Sequence, residues 1–314
     1  MEKIVVTYTN ADLDCVASAY AYSEYLNKQG DNANYYISGK VQKEVDVVCS
    51  LFNIDLHNES EEVSDKQVIV VDTNTLSAVD FISPKQIIEV IDHHPESGDK
   101  FENAVVDIQQ IGAVCTMIAE RFKENGVEVS RDTAILLYYG IVSNTVNFNS
   151  KVTTERDRNM ALWLKTQCKE IDDELISHIF EEKSKFDIKD LRLAMEVEEK
   201  FKLGEDEIII GQLEITDAKK FLERYEKDIK VVIEQVKEDY GVSTVFINII
   251  DILDGYHILY APNEKTQHFL SKGYGFKFNG NVCEEKRIVL RKEIKRYLRE
   301  TLENNKKMNK EEVR

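Results

Sequence analysis

The sequence predicts an α/β protein in which an N-terminal doubly wound parallel sheet is followed by a smaller α+β domain. Short β-branched runs alternate with helical segments through the first half, as in a parallel sheet with crossover helices. Two of these runs, Val68–Val71 and Ile87–Ile91, are almost continuously apolar, as expected for strands buried on both faces. The second half instead groups its strands around one long amphipathic helix, Ala218–Asp239.

The elements of the first half follow from these patterns. Strands are predicted at Ile4–Thr7, Asn34–Ile37, Val68–Val71, Ile87–Ile91 and Ala104–Val106. Helices are predicted at Cys15–Lys28, Val41–Phe52, around Val114, Ile118 and Phe122, and at Arg131–Val142, Thr154–Thr166 and Ile171–Lys183. The third helix ends at Asn125-Gly126, and the fourth is apolar nearly all round, which predicts a central buried helix.

A charged stretch at Glu181–Lys202 separates the two halves. It lacks Pro and Gly, which favours a helical connector over a flexible one. We therefore predict domains at residues 1–184 and 205–314, joined by a helical linker at 185–204. The second half is predicted to contain strands at Glu207–Ile215, Ser243–Ile252 and Tyr256–Tyr260, and a basic helix near Arg291–Arg299.

Composition excludes several classes of protein. The chain has 41 Lys and Arg against 58 Asp and Glu, a formal charge of −17, which argues against binding to duplex nucleic acid. A small anionic substrate stays compatible with this charge, because bound metal ions can reverse the local sign.

The five cysteines are scattered and form no C-x-x-C pair. This predicts neither a disulfide framework nor a thiolate zinc site, and it favours the reducing cytoplasm. The first residues read as the start of a strand rather than as a secretory signal. No apolar run approaches the roughly 18–20 residues that span a membrane, so no membrane association is expected.

Acidic and histidine residues follow three of the predicted strands. Asp12 and Asp14 follow the first, Asp72 follows the third, and Asp92-His93-His94 follows the fourth. Ligands of such sheets collect at the carboxyl ends of the strands, so these side chains predict one metal site. Oxygen and imidazole ligands without sulfur suit Mn²⁺, Mg²⁺, Co²⁺ or Zn²⁺, and the excess of oxygen favours Mn²⁺ or Mg²⁺.

Each of these motifs taken singly has a plainer interpretation. Asp12 and Asp14 are expected on an extended segment with both carboxylates on one side, but such residues also cap helices. Asp72 is also typical of a turn, and the histidine pair is also typical of an exposed loop. The combination of the motifs is what favours a metal site.

Two further motifs are candidates for binding. Ser143-Asn144-Thr145 brings polar groups out of the end of the buried helix, although an ordinary helix terminus has the same pattern. Arg291-Lys292 opens the basic helix, and a guanidinium beside an ammonium makes a good phosphate clamp. Basic residues on a surface helix are also commonly just solvated.

The order of these motifs resembles the DHH phosphoesterase superfamily, in the branch with a DHHA2-type second domain. That branch includes manganese-dependent (family II) inorganic pyrophosphatases and prune-type exopolyphosphatases. The resemblance rests on Asn10–Asp14, Val71–Asn74, Asp92–His94 and Ile111–Asp157. It implies that residues 1–184 form the metal-binding DHH domain and residues 205–314 a substrate-binding domain, with the active site in the cleft between them.

The resemblance also implies a set of metal ligands. Asp12 would hold a first ion and Asp14 a second, Asp72 would bridge both, and His93 would bind the second. The expected cofactor is Mn²⁺, or Mg²⁺ or Co²⁺, as two ions.

Further roles implied by the resemblance concern catalysis and substrate binding. Asp92 would orient a histidine, and His94 would contact the substrate and aid the leaving group. Arg291 and Lys292 would grip phosphate.

The chain departs from the family pattern at several positions. Tyr8 replaces the first histidine, and a neutral phenol with a pKa of about 10 is a poor ligand. Asn144 replaces the aspartate of the fourth motif, Glu293 ends a Ser-Arg-Lys-Lys-like motif, and Glu199 replaces a linker lysine. These departures predict metal binding that is weaker or of different preference.

The function implied is metal-dependent hydrolysis of phosphoanhydride bonds by a metal-activated hydroxide, of the pyrophosphatase or short-chain exopolyphosphatase type. Two alternatives stay open. One is a phosphodiesterase acting on small nucleotides, although the Gly-Gly-Gly-His motif of such relatives is missing. The other is a non-catalytic phosphate- or nucleotide-binding member, which Tyr8 and Asn144 favour. The expected partners are a small phosphorylated substrate and a second copy of the chain in a homodimer.

Overall fold

The computed structural model describes residues 2–56, 63–195, 201–203 and 205–312. The chain divides into two compact units, Met1–Lys183 and Ser184–Arg314. The functions predicted for residues 1–184 and 205–314, and the cleft predicted between them, stay predictions.

The first unit is built on a five-stranded parallel sheet. Its strands are β1 (Lys3–Val6), β2 (Ala33–Tyr36), β3 (Gln67–Val71), β4 (Ile87–Asp92) and β5 (Val105–Ile108). They lie in the order β2-β1-β3-β4-β5, and all pairs are parallel. The order reverses between β1 and β3, which makes the carboxyl ends of these two strands the expected ligand position. The predicted α/β fold is confirmed.

Six helices accompany this sheet among the described residues of the unit. They are α1 (Leu13–Lys28), α2 (Lys43–Phe52), α3 (Val114–Glu124), α4 (Arg131–Asn144), α5 (Glu155–Gln167) and α6 (Glu174–Lys183). Helix α4 is buried at every position from Thr133 to Ser143, as predicted from its apolar sequence. Gly140 lets α4 approach its neighbours closely, because a Cβ there would lie 2.5 Å from Cys115 Sγ.

The second unit contains a mixed sheet in the order β10-β9-β8-β7-β6. Its strands are β6 (Phe201–Leu203), β7 (Asp206–Ile215), β8 (Thr244–Asp251), β9 (Tyr256–Tyr260) and β10 (Val282–Glu285). Its helices are α7 (Leu191–Ala194), α8 (Ala218–Tyr240), α9 (Glu264–Tyr274) and α10 (Arg291–Glu312). Only β7 and β8 pair in parallel, across α8, and apolar clusters cover both faces of the sheet. This confirms the predicted α+β character.

The prediction of a continuous helical linker is wrong over Phe201–Leu203. This segment pairs antiparallel with β7 and buries Phe201 and Leu203, since its alternation of apolar and polar residues suits a strand. The start of the stretch forms a 3₁₀ turn at Ile188–Asp190 and the short helix α7. Glu199 lies outside the described residues.

Within the described ranges, no helix has the length and apolar character that crossing a membrane requires.

Candidate metal centre

Helix α1 begins directly after the Asp12 position, which changes the geometry expected for the first motif. Asp12 is the N-cap of α1, and its carboxylate accepts a hydrogen bond from the Cys15 backbone N–H at 3.0 Å. The extended conformation predicted for Asp12 to Asp14 is therefore wrong, because Asp14 lies in the first helical turn. The plainer interpretation of Asp12 as a helix cap is correct, and it leaves the second carboxylate oxygen out of this bond.

Asp14 is a buried carboxylate with a full set of donors. Its oxygens accept from the backbone N–H groups of Val114 (2.8 Å) and Cys115 (2.7 Å), and from Asn144 Nδ2 (2.9 Å). Burial raises the pKa of Asp14, while the charge of His93 and the Cys115 hydrogen bonds hold that rise back. These bonds fix the carboxylate from three directions.

Asp72 is also buried, but neither of its carboxylate oxygens has a hydrogen-bond partner among the described residues. It follows β3 directly in the left-handed conformation, with φ of 60°, and its backbone N–H still donates to Ile91 O at 2.9 Å. Burial and the nearby charges of Asp12 and Asp14 raise its pKa well above the usual range. A buried carboxylate without donors is costly, and a cation is one group that would satisfy it.

His93 faces this carboxylate with its Nε2 atom. Its Nδ1 lies 2.9 Å from Ile111 O, a carbonyl that can only accept, so Nδ1 donates to Ile111 and Nε2 is the nitrogen directed at Asp72. Nε2 lies 3.4 Å from Asp72 Oδ1. His94 Nδ1 lies 3.7 Å from the same oxygen, and the ligand atoms of the three residues are all within 4.8 Å of one another.

Asp92 positions both histidines through the hydrogen bonds that its carboxylate accepts. Its fully buried carboxylate accepts from the backbone N–H groups of His93 and His94, from His94 Nδ1 at 2.8 Å, and from the Asn74 amide. Burial alone would raise its pKa, but the hydrogen bond and charge of His94 outweigh burial and lower it. Burial likewise acts to lower the pKa of His94, but the bond to Asp92 and the charge of Asp72 raise it. The side chain of His94 remains 47% exposed, within reach of a ligand.

Two neutral side chains stand where the sequence departs from the family pattern. Tyr8 lies beside Asp12, whose backbone N–H is 3.5 Å from the phenol oxygen. Burial and the charges of Asp12 and Asp72 raise the pKa of Tyr8 far above its usual value, so the phenol stays neutral. Asn144, the last residue of α4, donates through Nδ2 to Asp14 Oδ2 and to Gly112 O, both at 2.9 Å.

A buried ion pair behind the Asp12–Asp14 turn was not anticipated from the sequence. Glu44 Oε1 accepts from the Leu13 backbone N–H at 3.0 Å, and Oε2 pairs with Lys183 Nζ at 2.6 Å and with the Ser143 hydroxyl. Burial would raise the pKa of Glu44, but the Lys183 charge outweighs it and lowers the pKa. Glu44 in turn contributes, after burial, to raising the pKa of Asp12 to about 6. The sequence signal for this ion pair was a charged residue, Glu44, beside the apolar residues of α2.

Asp157 is a second residue that sequence reasoning did not single out. Its carboxylate accepts from the Gly112 N–H, the Thr116 hydroxyl and both donors of Thr154, and it closes a capping box at the start of α5. The Thr-x-x-Asp spacing was a readable signal. Through Gly112, Asp157 fixes the carbonyl that holds Asn144.

The chain reverses sharply just beyond Asn144. Three consecutive residues, Val146, Asn147 and Phe148, have φ values of 50°, 49° and 61°. This conformation is unfavourable for a β-branched residue such as Val146, and it is held by bonds such as Asn147 N–H to Val142 O at 2.8 Å. The turn ends α4 abruptly and leaves Asn144 facing Asp14.

Arg291 and Lys292 belong to the second unit, at the start of α10. The Arg291 backbone N–H donates to Gln212 Oε1 at 2.7 Å, and Lys292 is exposed. Their predicted contact with substrate stays a prediction.

The first unit thus carries a carboxylate and imidazole site at the switch point of a parallel sheet, which is the class of site that binds divalent cations. The two oxygens of Asp72, which have no hydrogen-bond partner among the described residues, lie beside His93 Nε2 and fit such an ion. Residues 3–141 match the DHH family, N-terminal domain.

Curated relatives are similar to this chain over almost its whole length. A manganese-dependent inorganic pyrophosphatase of Methanothrix thermoacetophila is 27% identical over 297 residues, which is 92% of this chain and 94% of the relative. A probable manganese-dependent inorganic pyrophosphatase of Clostridium acetobutylicum is 27% identical over 308 residues, or 93% and 96% of the two chains.

Solved structures support the same fold. A Methanococcus jannaschii protein provisionally assigned to the family II inorganic pyrophosphatases matches with a TM-score of 0.73 at 23% identity, covering 96% of this chain and 99% of the other. An exopolyphosphatase-related protein of Bacteroides fragilis matches with a TM-score of 0.50 at 15% identity, covering 98% and 94%. At these identities the likeness concerns the fold alone.

Proposed function

We propose that this chain is a manganese-dependent hydrolase of phosphoanhydride bonds, acting on inorganic pyrophosphate or a short polyphosphate. The observation that carries the proposal is the buried Asp72 carboxylate, which has no hydrogen-bond partner on either oxygen among the described residues and lies beside His93. The match of residues 3–141 to the DHH family, N-terminal domain, and the names of the relatives support the same activity.

Asp72 and His93 are proposed to hold Mn²⁺, with Asp12 close enough for its charge to raise the Asp72 pKa. Mg²⁺ and Co²⁺ are the alternative ions. A cation bound there lowers the pKa of a coordinated water and stabilises the charge that develops on a transferring phosphoryl group. The roles that the resemblance implies for Asp14 and for a second ion stay predictions.

His94 is proposed to contact the substrate, with Asp92 as its positioning residue. The bond between Asp92 Oδ1 and His94 Nδ1 fixes the imidazole, and the half-exposed ring can offer its other nitrogen to a phosphate oxygen. A histidine in that place can hydrogen-bond the bridging oxygen and pass a proton to the leaving phosphate. Arg291 and Lys292 of the second unit are proposed to bind phosphate as well.

Two properties of the whole protein belong to the same proposal. A cytoplasmic location is favoured by five free cysteines, because free thiols persist in reducing compartments. A homodimer is favoured by β5, an edge strand of its sheet with Val105 70% and Val106 44% exposed. We expect no binding to duplex nucleic acid, in line with the charge of −17.

The test is phosphate release from pyrophosphate, tripolyphosphate and a cyclic dinucleotide, each with Mn²⁺, Mg²⁺ and Co²⁺. We expect release from pyrophosphate or tripolyphosphate that depends on Mn²⁺ and disappears in Asp72→Asn. The same change at the exposed Asp80, Asp80→Asn, is the matched control and should leave the rate unchanged.

The other outcomes assign the alternatives. Cleavage of the cyclic dinucleotide alone would favour the phosphodiesterase. No product from any substrate, with folded and metal-loaded protein, would favour a non-catalytic binding member, whose supporting observations are the neutral Tyr8 and Asn144.

A further inference from the structure

We propose that Glu44 is a positioning residue of the metal centre, which acts by holding the Asp12-Leu13-Asp14 turn in place and not through its charge. The proposal rests on the metal site of the proposed function. It adds to that site a residue of helix α2 that works through another segment of the chain.

The carboxylate of Glu44 reaches the turn through the backbone. Its Oε1 atom accepts from the Leu13 N–H at 3.0 Å, and Leu13 is the residue between Asp12 and Asp14. Leu13 opens helix α1, so this N–H has no acceptor within the helix and needs one from elsewhere. Asp12 caps the same turn at the Cys15 N–H. Two carboxylates from two segments therefore hold the first turn of α1.

The other oxygen of Glu44 has two partners of its own. Oε2 pairs with Lys183 Nζ at 2.6 Å and accepts from the Ser143 hydroxyl, and Lys183 Nζ lies 3.3 Å from Ser143 Oγ. The side chain of Glu44 is 3% exposed and that of Lys183 is 20% exposed, so water screens the pair only weakly. With both oxygens bonded, the carboxylate presents a fixed acceptor to the Leu13 N–H.

The same carboxylate connects two elements of the site. Ser143 directly precedes Asn144, whose amide donates to Asp14 Oδ2 at 2.9 Å. Glu44 therefore ties the start of α1 to the end of α4, and these two elements carry Asp14 and one of its donors. Movement of the Glu44 side chain would disturb both elements together.

The place of the turn matters to a cation because the turn carries charge. Asp12 and Asp14 are close enough to Asp72 for their charges to contribute to its raised pKa. A cation held by Asp72 and His93 would be attracted by both carboxylates, and this attraction falls with distance. We therefore expect the affinity for Mn²⁺ to depend on where Glu44 holds the turn.

The test compares two substitutions of Glu44 that change its reach and its charge separately. Glu44→Asp keeps the charge but withdraws the carboxylate from Leu13 by about 1.5 Å, the length of one carbon–carbon bond. It should weaken Mn²⁺ binding by about 10- to 100-fold, as changes to residues that orient metal ligands do. Glu44→Gln loses the charge but keeps an oxygen for Leu13, and it should weaken binding by less than about tenfold.

Calorimetric titration of the metal-free, full-length protein with Mn²⁺ at pH 7 measures these affinities. Amide hydrogen exchange at Leu13 shows whether its hydrogen bond to residue 44 is kept, and exchange should be faster in Glu44→Asp than in Glu44→Gln. An effect of charge alone predicts the opposite order of affinities, with Glu44→Gln as the weaker binder.

The matched control is Glu24→Asp, the same change towards the other end of α1. Glu24 accepts from the Ser130 backbone N–H at 3.0 Å and pairs with Lys28 at 2.8 Å, so its shortening breaks the same kinds of contact. This variant should lose stability and keep the Mn²⁺ affinity of wild type.

Lys183→Met is the second variant should Glu44→Asp not fold. It removes the cation that holds the Glu44 carboxylate, so it should weaken Mn²⁺ binding by about tenfold. Loss of a positive charge by itself would instead strengthen the binding of a cation.

Each outcome supports or overturns the proposal. Affinity like that of wild type in Glu44→Asp, or weaker binding in Glu44→Gln than in Glu44→Asp, would overturn it and leave the proposed hydrolase in place. An equal loss of affinity in Glu24→Asp would also overturn it, because the effect would then follow stability. The expected order without phosphate release from any substrate would support this proposal and contradict the proposed activity. Wild-type protein that binds no Mn²⁺ at millimolar concentration would overturn both.

Discussion

Asp14 and Asp72 are two buried carboxylates that follow neighbouring strands of one sheet, and they differ in the hydrogen bonds they accept. Both have raised pKa values because they are buried. Asp14 accepts three hydrogen bonds, whereas Asp72 accepts none among the described residues. The comparison teaches that unoccupied acceptor positions, and not burial, distinguish Asp72, the proposed metal ligand, from Asp14.

The difference has a local cause. Helix α3 begins at Val114, and its N-cap residue Ala113 has no side chain that can cap it. The carboxylate of Asp14 takes that role from another helix, since the first N–H groups of a helix need an acceptor and favour an anion. Asp72 accepts no such N–H donor among the described residues, and the chain leaves β3 there with a φ of 60°.

The largest expected effect is on metal affinity, which should distinguish Asp72 from Asp14. Asp72→Asn should weaken Mn²⁺ binding by at least about 100-fold, because changes outside the ligand shell alone cost about 10- to 100-fold. Without metal, and at a pH above the raised pKa of Asp72, the same variant should be more stable than wild type, since a buried charge without donors is removed. Calorimetric titration with Mn²⁺ and urea denaturation in chelator measure the two effects. Unchanged affinity would contradict the assignment of Asp72.

Asp14→Asn is expected to do the reverse. It should lower the free energy of unfolding by about 2 kcal/mol, because hydrogen bonds to a charged group are lost and the new amide nitrogen faces N–H donors. Mn²⁺ affinity should change by less than about tenfold. Urea denaturation and metal titration of the same preparation provide the check. Normal stability with lost Mn²⁺ binding would restore Asp14 as a ligand, as the family resemblance implies.

The pH dependence should follow the raised pKa of Asp12. Asp12 binds its proton more tightly in the folded protein, with a pKa of about 6 against 3.8 for the ordinary group. The folded state therefore holds more protons in this window, and the metal-free protein should lose stability as pH rises through it. Mn²⁺ binding should instead strengthen as pH rises towards 6, since binding displaces protons, by about tenfold per unit for each proton.

Thermal denaturation from pH 4 to 7, with chelator and with Mn²⁺, separates these two slopes. Parallel curves in the two conditions would show that the acids of the site do not titrate on metal binding.

A smaller effect is expected from Glu44→Gln. The change removes a negative charge that raises the Asp12 pKa and leaves Lys183, which lowers it, so Mn²⁺ binding should persist to a lower pH than in wild type. Stability should fall by about 1 kcal/mol through loss of the ion pair with Lys183. Titrations with Mn²⁺ at pH 5 and pH 7 test the shift, and equal weakening at both pH values would argue against an electrostatic link.

The smallest effect is expected from Tyr8→Phe. The phenol oxygen is 3.5 Å from the Asp12 backbone nitrogen and the phenol stays neutral, so its loss should change Mn²⁺ affinity by less than about threefold. The same calorimetric titration measures this. A loss as large as that of Asp72→Asn would make the phenol a direct ligand.

Much of the first unit could be predicted from sequence because its signals are local. The strands are continuous β-branched runs, and α4 is apolar all round, so their burial follows from composition. The prediction of a helical linker failed at Phe201–Leu203. These three residues pair with a strand of the second sheet, and local propensity does not reveal that partner. The extended conformation predicted for Asp12 to Asp14 was wrong because helix caps and metal sites use the same residue types.

The sequence by itself determined which side chains reach the carboxyl ends of β1, β3 and β4, because strand runs and the residues after them are adjacent in the chain. Only the tertiary structure decided which of those carboxylates has its acceptor positions taken by hydrogen bonds. Asp14 finds its donors 100 to 130 residues away, at Val114, Cys115 and Asn144, whereas Asp72 finds none among the described residues. Hydrogen bonding between distant segments depends on how helices pack against the sheet, and this packing is what separates the Asp14 and Asp72 positions.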